Sequence, residues 1–333
     1  MILPPALVLT AGLGTRLRPL TFARAKAAVP VNGETLARRA VRWLVSQGVR
    51  DFVLNLHHRP ATVAGSVGDG SDLGARVRYS WENPVLGSAG GPRHALPLLT
   101  DPGSRIPDPG SRIPDPGSRI PDPGTFFIIN GDTLTDVDVR KALSAHRHSG
   151  AAVTMALIPN PRPDKYGGVL VSDNAWVTGF TRAGSTLPSF HFIGVQVADS
   201  RVFSSLDDGV PFESVNRLYP QLIEHDPHSV GAFISTASFR DIGTPADYLD
   251  TSLQFAEIEG NHMVSSRGTR IDETARITRS AVWDDVTIGS GAELTECIVC
   301  DGVSIPAGAT YRRAAIIREP GTAGAELIVR PID

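Results

Sequence analysis

"ALVLTAGLGTRLRPLT" (residues 6–21) begins as a short apolar run and breaks at two glycines, with Thr15, Arg16 and Arg18 immediately behind them. The apolar half has the length of a strand, and Gly12 and Gly14 allow a sharp turn and a close approach of backbone to an anion. A dinucleotide fingerprint would need Gly or Ala at position 17, where Leu stands, and a long helix, which Pro19 interrupts. A Walker loop would need Gly-Lys-Ser/Thr, which the bend lacks. A triphosphate-binding loop with Arg16 as a phosphate clamp takes in every residue of the bend. The bland alternative is a plain strand-to-helix turn, in which two arginines would be unusual.

Outward from this bend, strand-like runs alternate with helical patterns over the first 255 residues. "ETLARRAVRWLVSQG" (34–48) places Leu36, Ala40, Trp43, Leu44 and Gln47 at helical spacing and stops at Gly48. "DFVLNL" (51–56), "RVRYSW" (76–81) and "TFFIING" (125–131) read as strands, with helices expected over 91–99 and 139–150. Such alternation predicts an α/β fold, a doubly wound and mostly parallel sheet whose ligands sit beyond the carboxyl ends of its strands.

The heptad "DPGSRIP" is written three times and begun a fourth over 101–124. Two prolines per unit exclude a regular helix or central strand. The stretch leaves from the sheet edge opposite the ligand edge, so a tolerated surface loop is preferred to a docking segment built on Arg105, Arg112 and Arg119.

From about residue 262 the pattern changes. Ile271, Ile288 and Ile305 are 17 apart, as are Ile277, Leu294 and Tyr311, and Trp283, Cys300 and Ile317. Within each step the apolar anchors fall six, six and five apart, with an inward residue expected at every sixth position: a β-helix of hexapeptide turns, three turns to a coil. Cys300 then shares the column of Trp283, and Cys297 that of Ser280 and Ala314, so both thiols read as packing residues rather than a redox or metal pair. His57, His58, His94, His146 and His148 show no metal spacing and read as surface or packing residues.

In 333 residues, 41% are hydrophobic and 20% charged, and the net charge is −3, which gives no reason to expect nucleic acid or an acidic membrane as partner. Two cysteines exclude a disulfide framework and fit a reducing cytoplasm. The apolar start lacks a basic region and has an early Pro pair, so no signal peptide is expected, and no run reaches the length of a membrane span.

Residues 12–21, "GLGTRLRPLT", resemble throughout the signature G-x-G-T-R-L-x-P-L-T of the sugar-1-phosphate nucleotidyltransferases. Lys26 stands where that family has a lysine, with Ala25 and Ala27 in place of its flanking prolines. "ENPVLGSAGG" (82–91) resembles the base-recognising loop, "IINGDTLTD" (128–136) the strand ending in Gly-Asp, "DIGTPADYL" (241–249) the second metal motif, and "YGGVLV" (166–171) the sugar-side strand. The resemblance covers roughly residues 5–255. It implies a Rossmann-like nucleotidyltransferase domain over 1–258, interrupted by the 101–124 insertion, and a small left-handed β-helix over 262–333, as in mannose-1-phosphate guanylyltransferase-like members.

The resemblance also implies roles. Arg16 and Lys26 would be catalytic. Ala11, Gly12, Gly14, Thr15, Glu82, Gly87 and Ser88 would bind the nucleotide, and Gly168, Arg182 and Gly194 the sugar phosphate. Arg182 stands in for the lysine of the family's Glu-Lys motif, and Phe192 replaces the asparagine of its Asn-x-Gly. Asp132 and Asp241 would hold Mg²⁺. The reaction would join a nucleoside triphosphate to a sugar 1-phosphate, with GTP and mannose 1-phosphate first in rank, and release pyrophosphate. A uridylyl or thymidylyl enzyme acting on glucose 1-phosphate or an amino sugar phosphate is the alternative, and a non-catalytic regulatory relative the contrasting class. Self-association through the β-helix is expected.

Overall fold

Four residues, Ala6–Leu9, form the centre of the main sheet, and the first three are buried. They pair in parallel with Asp51–Leu56 on one side and Thr125–Asn130 on the other, and Arg76–Trp81 adds in parallel beyond Asp51–Leu56. Ala6–Leu9, Asp51–Leu56 and Thr125–Asn130 are buried almost without interruption, because helices cover both faces and leave no solvent side for alternation to mark, whereas Arg76–Trp81, beyond them, is only partly buried. The chain builds outward on one side of Ala6–Leu9 and then returns to the other. The carboxyl ends of Ala6–Leu9 and Thr125–Asn130 therefore flank a topological switch point, the place where such sheets bind ligands. The computed structural model describes residues 3–100, 124–259, 267–318 and 326–332. The heptad repeat, apart from Gly124, lies outside the described residues.

Among the described residues the sheet has nine strands. Phe190–Asp199 runs antiparallel to both Thr125–Asn130 and Val153–Pro159, and Val230–Ile234 pairs in parallel with the latter. Gly168–Val171 and Val177–Thr181 form an antiparallel pair at the edge. Leu7, Val53, Phe126, Ile128, Met155 and Val230 belong to one apolar core cluster. Helix Gly87–Thr100 starts four residues before the apolar pattern predicts and contains Pro92 and Pro97.

By internal contacts the chain forms two compact units. One holds the residues up to Gly12 with 40–57 and 67–239, which include the whole nine-stranded sheet; the other holds 13–39, 58–66 and the residues from 240 onward. In the second unit, short parallel strands stack at a step of 17 residues: Ile271, Ile288 and Ile305 stand in one column, and Ile277, Leu294 and Tyr311 in another. The expected period is therefore the observed one.

The third column differs from expectation by one residue. Val282, Val299 and Ile316 belong to the coil's interior cluster, whereas Trp283, Cys300 and Ile317 do not. Alternation along the strand turns those three outward. They are nevertheless buried, because helix Pro245–Ile258 and residues 20–22 cover that side of the coil. Tyr248 of the helix meets Trp283 edge-on, with ring centres 6.0 Å apart. Both cysteines are free and buried, as the column reading expects, and burial pushes each thiol above its ordinary pKa.

Candidate functional site

In the sheet unit, the site begins where Ala6–Leu9 ends. The Thr10 and Ala11 amides both donate to Asn55 Oδ1, at 2.6 and 3.3 Å, and the Thr10 hydroxyl donates to the Asn55 carbonyl. Asn55 Nδ2 donates to Glu82 Oε1 at 2.7 Å, and the other Glu82 oxygen accepts the Leu86 amide at 2.8 Å. Glu82 is 1% exposed, so its carboxylate joins the first glycine bend to the 86–91 loop from beneath. Asn55 carries no signal in the sequence, because a buried Asn at a strand end is informative only through its partners.

Gly87 begins helix Gly87–Thr100 at φ +77°, and a side chain there would start 2.8 Å from the Phe212 carbonyl. The Ala89 and Gly90 amides donate to that carbonyl, and Phe212 N donates to Leu86 O. Ser88 Oγ donates to Glu213 Oε2 at 2.7 Å and accepts from the Ser214 amide at 2.8 Å. Residues 212–214 thus back the loop resembling the base-recognising one and take up helix-start donors that would otherwise have no partner.

Asp132 follows Gly131, whose amide donates to Leu9 O at 2.9 Å, so its backbone continues from a point tied to the end of Ala6–Leu9. Gly194 lies where the pairing of Phe190–Asp199 shifts register, at φ +73°, against Asn130 and Thr133 on either side of Asp132 in sequence. Gly168 opens the edge strand Gly168–Val171, and its amide donates to Thr181 Oγ1 at 3.0 Å. Arg182 is exposed in the turn beyond Thr181. His191 is clasped between Tyr166 and Phe239, with centroids 4.4 and 4.6 Å away, and burial holds its imidazole below its ordinary pKa.

In the other unit, Gly14 adopts φ +59°, and a side chain there would begin 2.8 Å from Thr21 Cγ2 and 3.0 Å from Lys26 Cβ. Only glycine lets the bend lie against the stem of Lys26. Thr21 Oγ1 donates to the Gly14 carbonyl at 3.1 Å and closes the loop. Thr15 and Arg16 are exposed, as is Gly12 where the bend leaves the sheet unit. A Cβ placed on Gly243 would lie 3.1 Å from Asp241 Oδ2 and 3.5 Å from Arg16 Nη1. Arg16 and Asp241 therefore share Gly243 as a neighbour. Asp247, six residues on, forms a capping box with Thr244 at the start of helix Pro245–Ile258.

A bend whose Gly14 lies against the stem of Lys26, with Arg16 two residues on, offers turn amides and two cations of the kind that receive anions. The chain belongs to the nucleotidyl transferase family, whose model matches residues 5–258, and a GlmU-like C-terminal hexapeptide model matches residues 254–311. Among named relatives, mannose-1-phosphate guanylyltransferase of Mycobacterium tuberculosis is 24% identical over 319 residues, 92% of this chain and 83% of the relative. UTP–glucose-1-phosphate uridylyltransferase of Synechocystis is 22% identical over 90% of this chain and 81% of its own. D-glycero-alpha-D-manno-heptose 1-phosphate guanylyltransferase of Aneurinibacillus thermoaerophilus is 28% identical over 73% of this chain and 94% of its own. In fold, the chain is similar to HddC from Yersinia pseudotuberculosis, with TM-score 0.62 and 20% identity over 76% of this chain and 100% of that one. A second structure of HddC, complexed with GMP-PN, gives TM-score 0.61.

Proposed function

We propose that this protein transfers the nucleotidyl group of a nucleoside triphosphate to a sugar 1-phosphate, giving a nucleotide sugar and pyrophosphate, with GTP and mannose 1-phosphate as the preferred pair. The observation that carries the reading is the "GLGTRLRPLT" bend, with Gly14 against the stem of Lys26 and Arg16 beside Asp241 around Gly243. A guanylyl preference draws on the relatives named above. A uridylyl reaction is the second reading, supported by the Synechocystis relative.

In this reading a sugar-phosphate oxygen attacks the α-phosphorus in line, and the bond from that phosphorus to the leaving pyrophosphate oxygen breaks. Two anions must meet, so positioning and charge neutralisation supply most of the catalysis. Backbone groups of Ala11, Gly12, Gly14 and Thr15 cradle the triphosphate. Arg16 takes up charge on the leaving pyrophosphate through its planar fork, and Lys26 holds the phosphoryl groups as a compact point charge. Gly87 and Ser88 meet base and ribose, and Glu82 serves the nucleotide through the loop it braces. Gly168, Gly194 and Arg182 receive the sugar phosphate.

Asp132 and Asp241 are hard oxygen donors of the type Mg²⁺ accepts, one or two carboxylates with the remaining positions filled by phosphate oxygens and water. In this reading the cation is completed by substrate oxygens and water. When bound, it would neutralise phosphate charge.

No helix among the described residues is long and apolar enough to cross a membrane. We read the protein as cytoplasmic, and as self-associating through its coils, which light scattering on the purified chain tests. For the reaction, pyrophosphate release is measured with Mg²⁺ across GTP, UTP, dTTP and ATP against a panel of sugar 1-phosphates. Fastest release with GTP and mannose 1-phosphate is expected. A preference for UTP selects the second reading, and silence across the panel refutes both.

A further inference from the structure

Asp284 and Asp301 stand 17 residues apart, at the same position in successive coils. Two carboxylates one strand spacing apart repel each other unless a cation lies between them. That cation comes from far along the chain. Arg24 Nε and Nη2 donate to the two oxygens of Asp301, each at 2.6 Å, and Nη2 also donates to Asp284 Oδ2 at 2.6 Å. The guanidinium lies 5.5 Å from the Trp283 ring centre, and its side chain is only 13% exposed. Although burial opposes the charge, the two carboxylates hold the arginine pKa above its ordinary value.

The other end of the same segment is tied to the same coil. The Pro30 carbonyl accepts from Tyr248 Oη at 2.7 Å, and that oxygen accepts from Trp283 Nε1 at 2.8 Å. Between the two ties, the Ala25 amide donates to Thr62 Oγ1 at 3.1 Å, and Lys26–Ala28 makes one tight helical turn. Lys26 thus stands on a short span fastened at Arg24 and at Pro30. The flanking positions are alanines, which do not fix φ as prolines would, so the rigidity of the span comes from its ends.

We infer that Arg24 is a positioning residue for Lys26, and that Asp284, Trp283 and Asp301 of the β-helix are a working part of the phosphate-binding apparatus rather than an appendage to it. The inference deepens the proposed function and rests on it for the role of Lys26. It also explains why the outward column of the coil is apolar and why two acidic residues recur at the coil step beside it.

The test uses the full chain and reads Lys26 through Arg24. Arg24→Lys keeps the charge but loses the bidentate fork, and Arg24→Met loses both. With pyrophosphate release measured well below each variant's melting temperature, Arg24→Met is expected to lower kcat about 100-fold, the order expected of an ångström-scale misplacement, with Arg24→Lys intermediate. Arg24→Met combined with Lys26→Met is expected to lose no more than Lys26→Met alone, since one residue acts through the other. Additive losses, or variants that melt lower yet keep wild-type kcat and KM, overturn the inference. Should Arg24→Met fail to fold, Asp301→Asn supplies the same cycle. A second readout needs no turnover: amide exchange over 25–29 should rise at least about tenfold in Arg24→Lys as local opening becomes easier, and unchanged exchange refutes the clamp. A wild-type chain silent on every substrate pair would refute the proposed function, while the exchange result still decides the clamp.

Discussion

Replacing Asn55 by Asp changes one NH₂ group to an oxygen at the junction of residues 10–11 and the 86–91 loop. Oδ1 can still accept the Thr10 and Ala11 amides, but the Nδ2 donor to Glu82 Oε1, at 2.7 Å, is lost and one carboxylate then faces another. Two full charges at that distance repel by about 6 kcal/mol at an effective dielectric constant of 20. Retaining one proton costs less: holding it at pH 7 on a carboxyl of ordinary pKa near 3.9 requires about 4 kcal/mol. The shared proton then restores a donor toward Glu82. Folding stability at pH 7 should therefore fall by about 4 kcal/mol, a drop in melting temperature of roughly 8–16 °C for a body of this size.

The deficit has a sign in pH. The new carboxyl has a folded pKa raised above its unfolded value, so its stability is fully present below the unfolded pKa and lost as pH rises toward the folded one. The gap between Asn55→Asp and wild type should widen by about 1.4 kcal/mol per pH unit from about pH 4 toward pH 7. Circular dichroism melts of both proteins at pH 5, 6 and 7 measure it. A deficit independent of pH, or a variant melting within about 2 °C of wild type at pH 7, where roughly 8–16 °C is expected, would refute the bridging role given to Glu82.

Asp132→Asn should reduce pyrophosphate release at least about 100-fold, the scale on which lost electrostatic stabilisation is felt, while the melting temperature stays within a few degrees; unchanged turnover contradicts its metal role. Tyr248→Phe leaves Trp283 Nε1–H and the Pro30 carbonyl without the partners they have now. It should cost about 3 kcal/mol in denaturant unfolding, since each unsatisfied buried group costs about 1–3 kcal/mol. Cys297 and Cys300 are buried with raised thiol pKa values, so iodoacetamide at pH 8 should leave both unmodified in the native protein and modify both once it is unfolded.

The coil step is legible from the sequence alone, because a residue every 17 positions meets its own kind in the next coil and nothing else is needed to specify the stack. The third column misleads by one residue. Trp283 is the largest apolar side chain of its turn, and size marks burial but not direction; Val282 points inward, and Trp283 is buried by a helix from outside. The first strand and its bend are likewise readable, since glycine and arginine in that order have few other uses. Phe190–Asp199 is not: its antiparallel course and the register shift at Gly194 depend on two neighbours at once. Among polar residues, Asn55 and Arg24 stay invisible because each draws its meaning from distant partners. Glu82 stands out for its place beside the 86–91 loop, yet its carboxylate is engaged from below by Asn55 and Leu86.

The separation between Arg24 and Asp301, 277 residues, has a bearing on biosynthesis. At roughly 5–20 residues per second, the ribosome needs about 15–55 s to carry the chain from one to the other. Throughout that interval the nascent segment around Arg24 has no acidic seat to settle on. The later-made coils therefore complete the earlier-made bend, and a ribosome stalled between the two would leave the span that carries Lys26 unfastened.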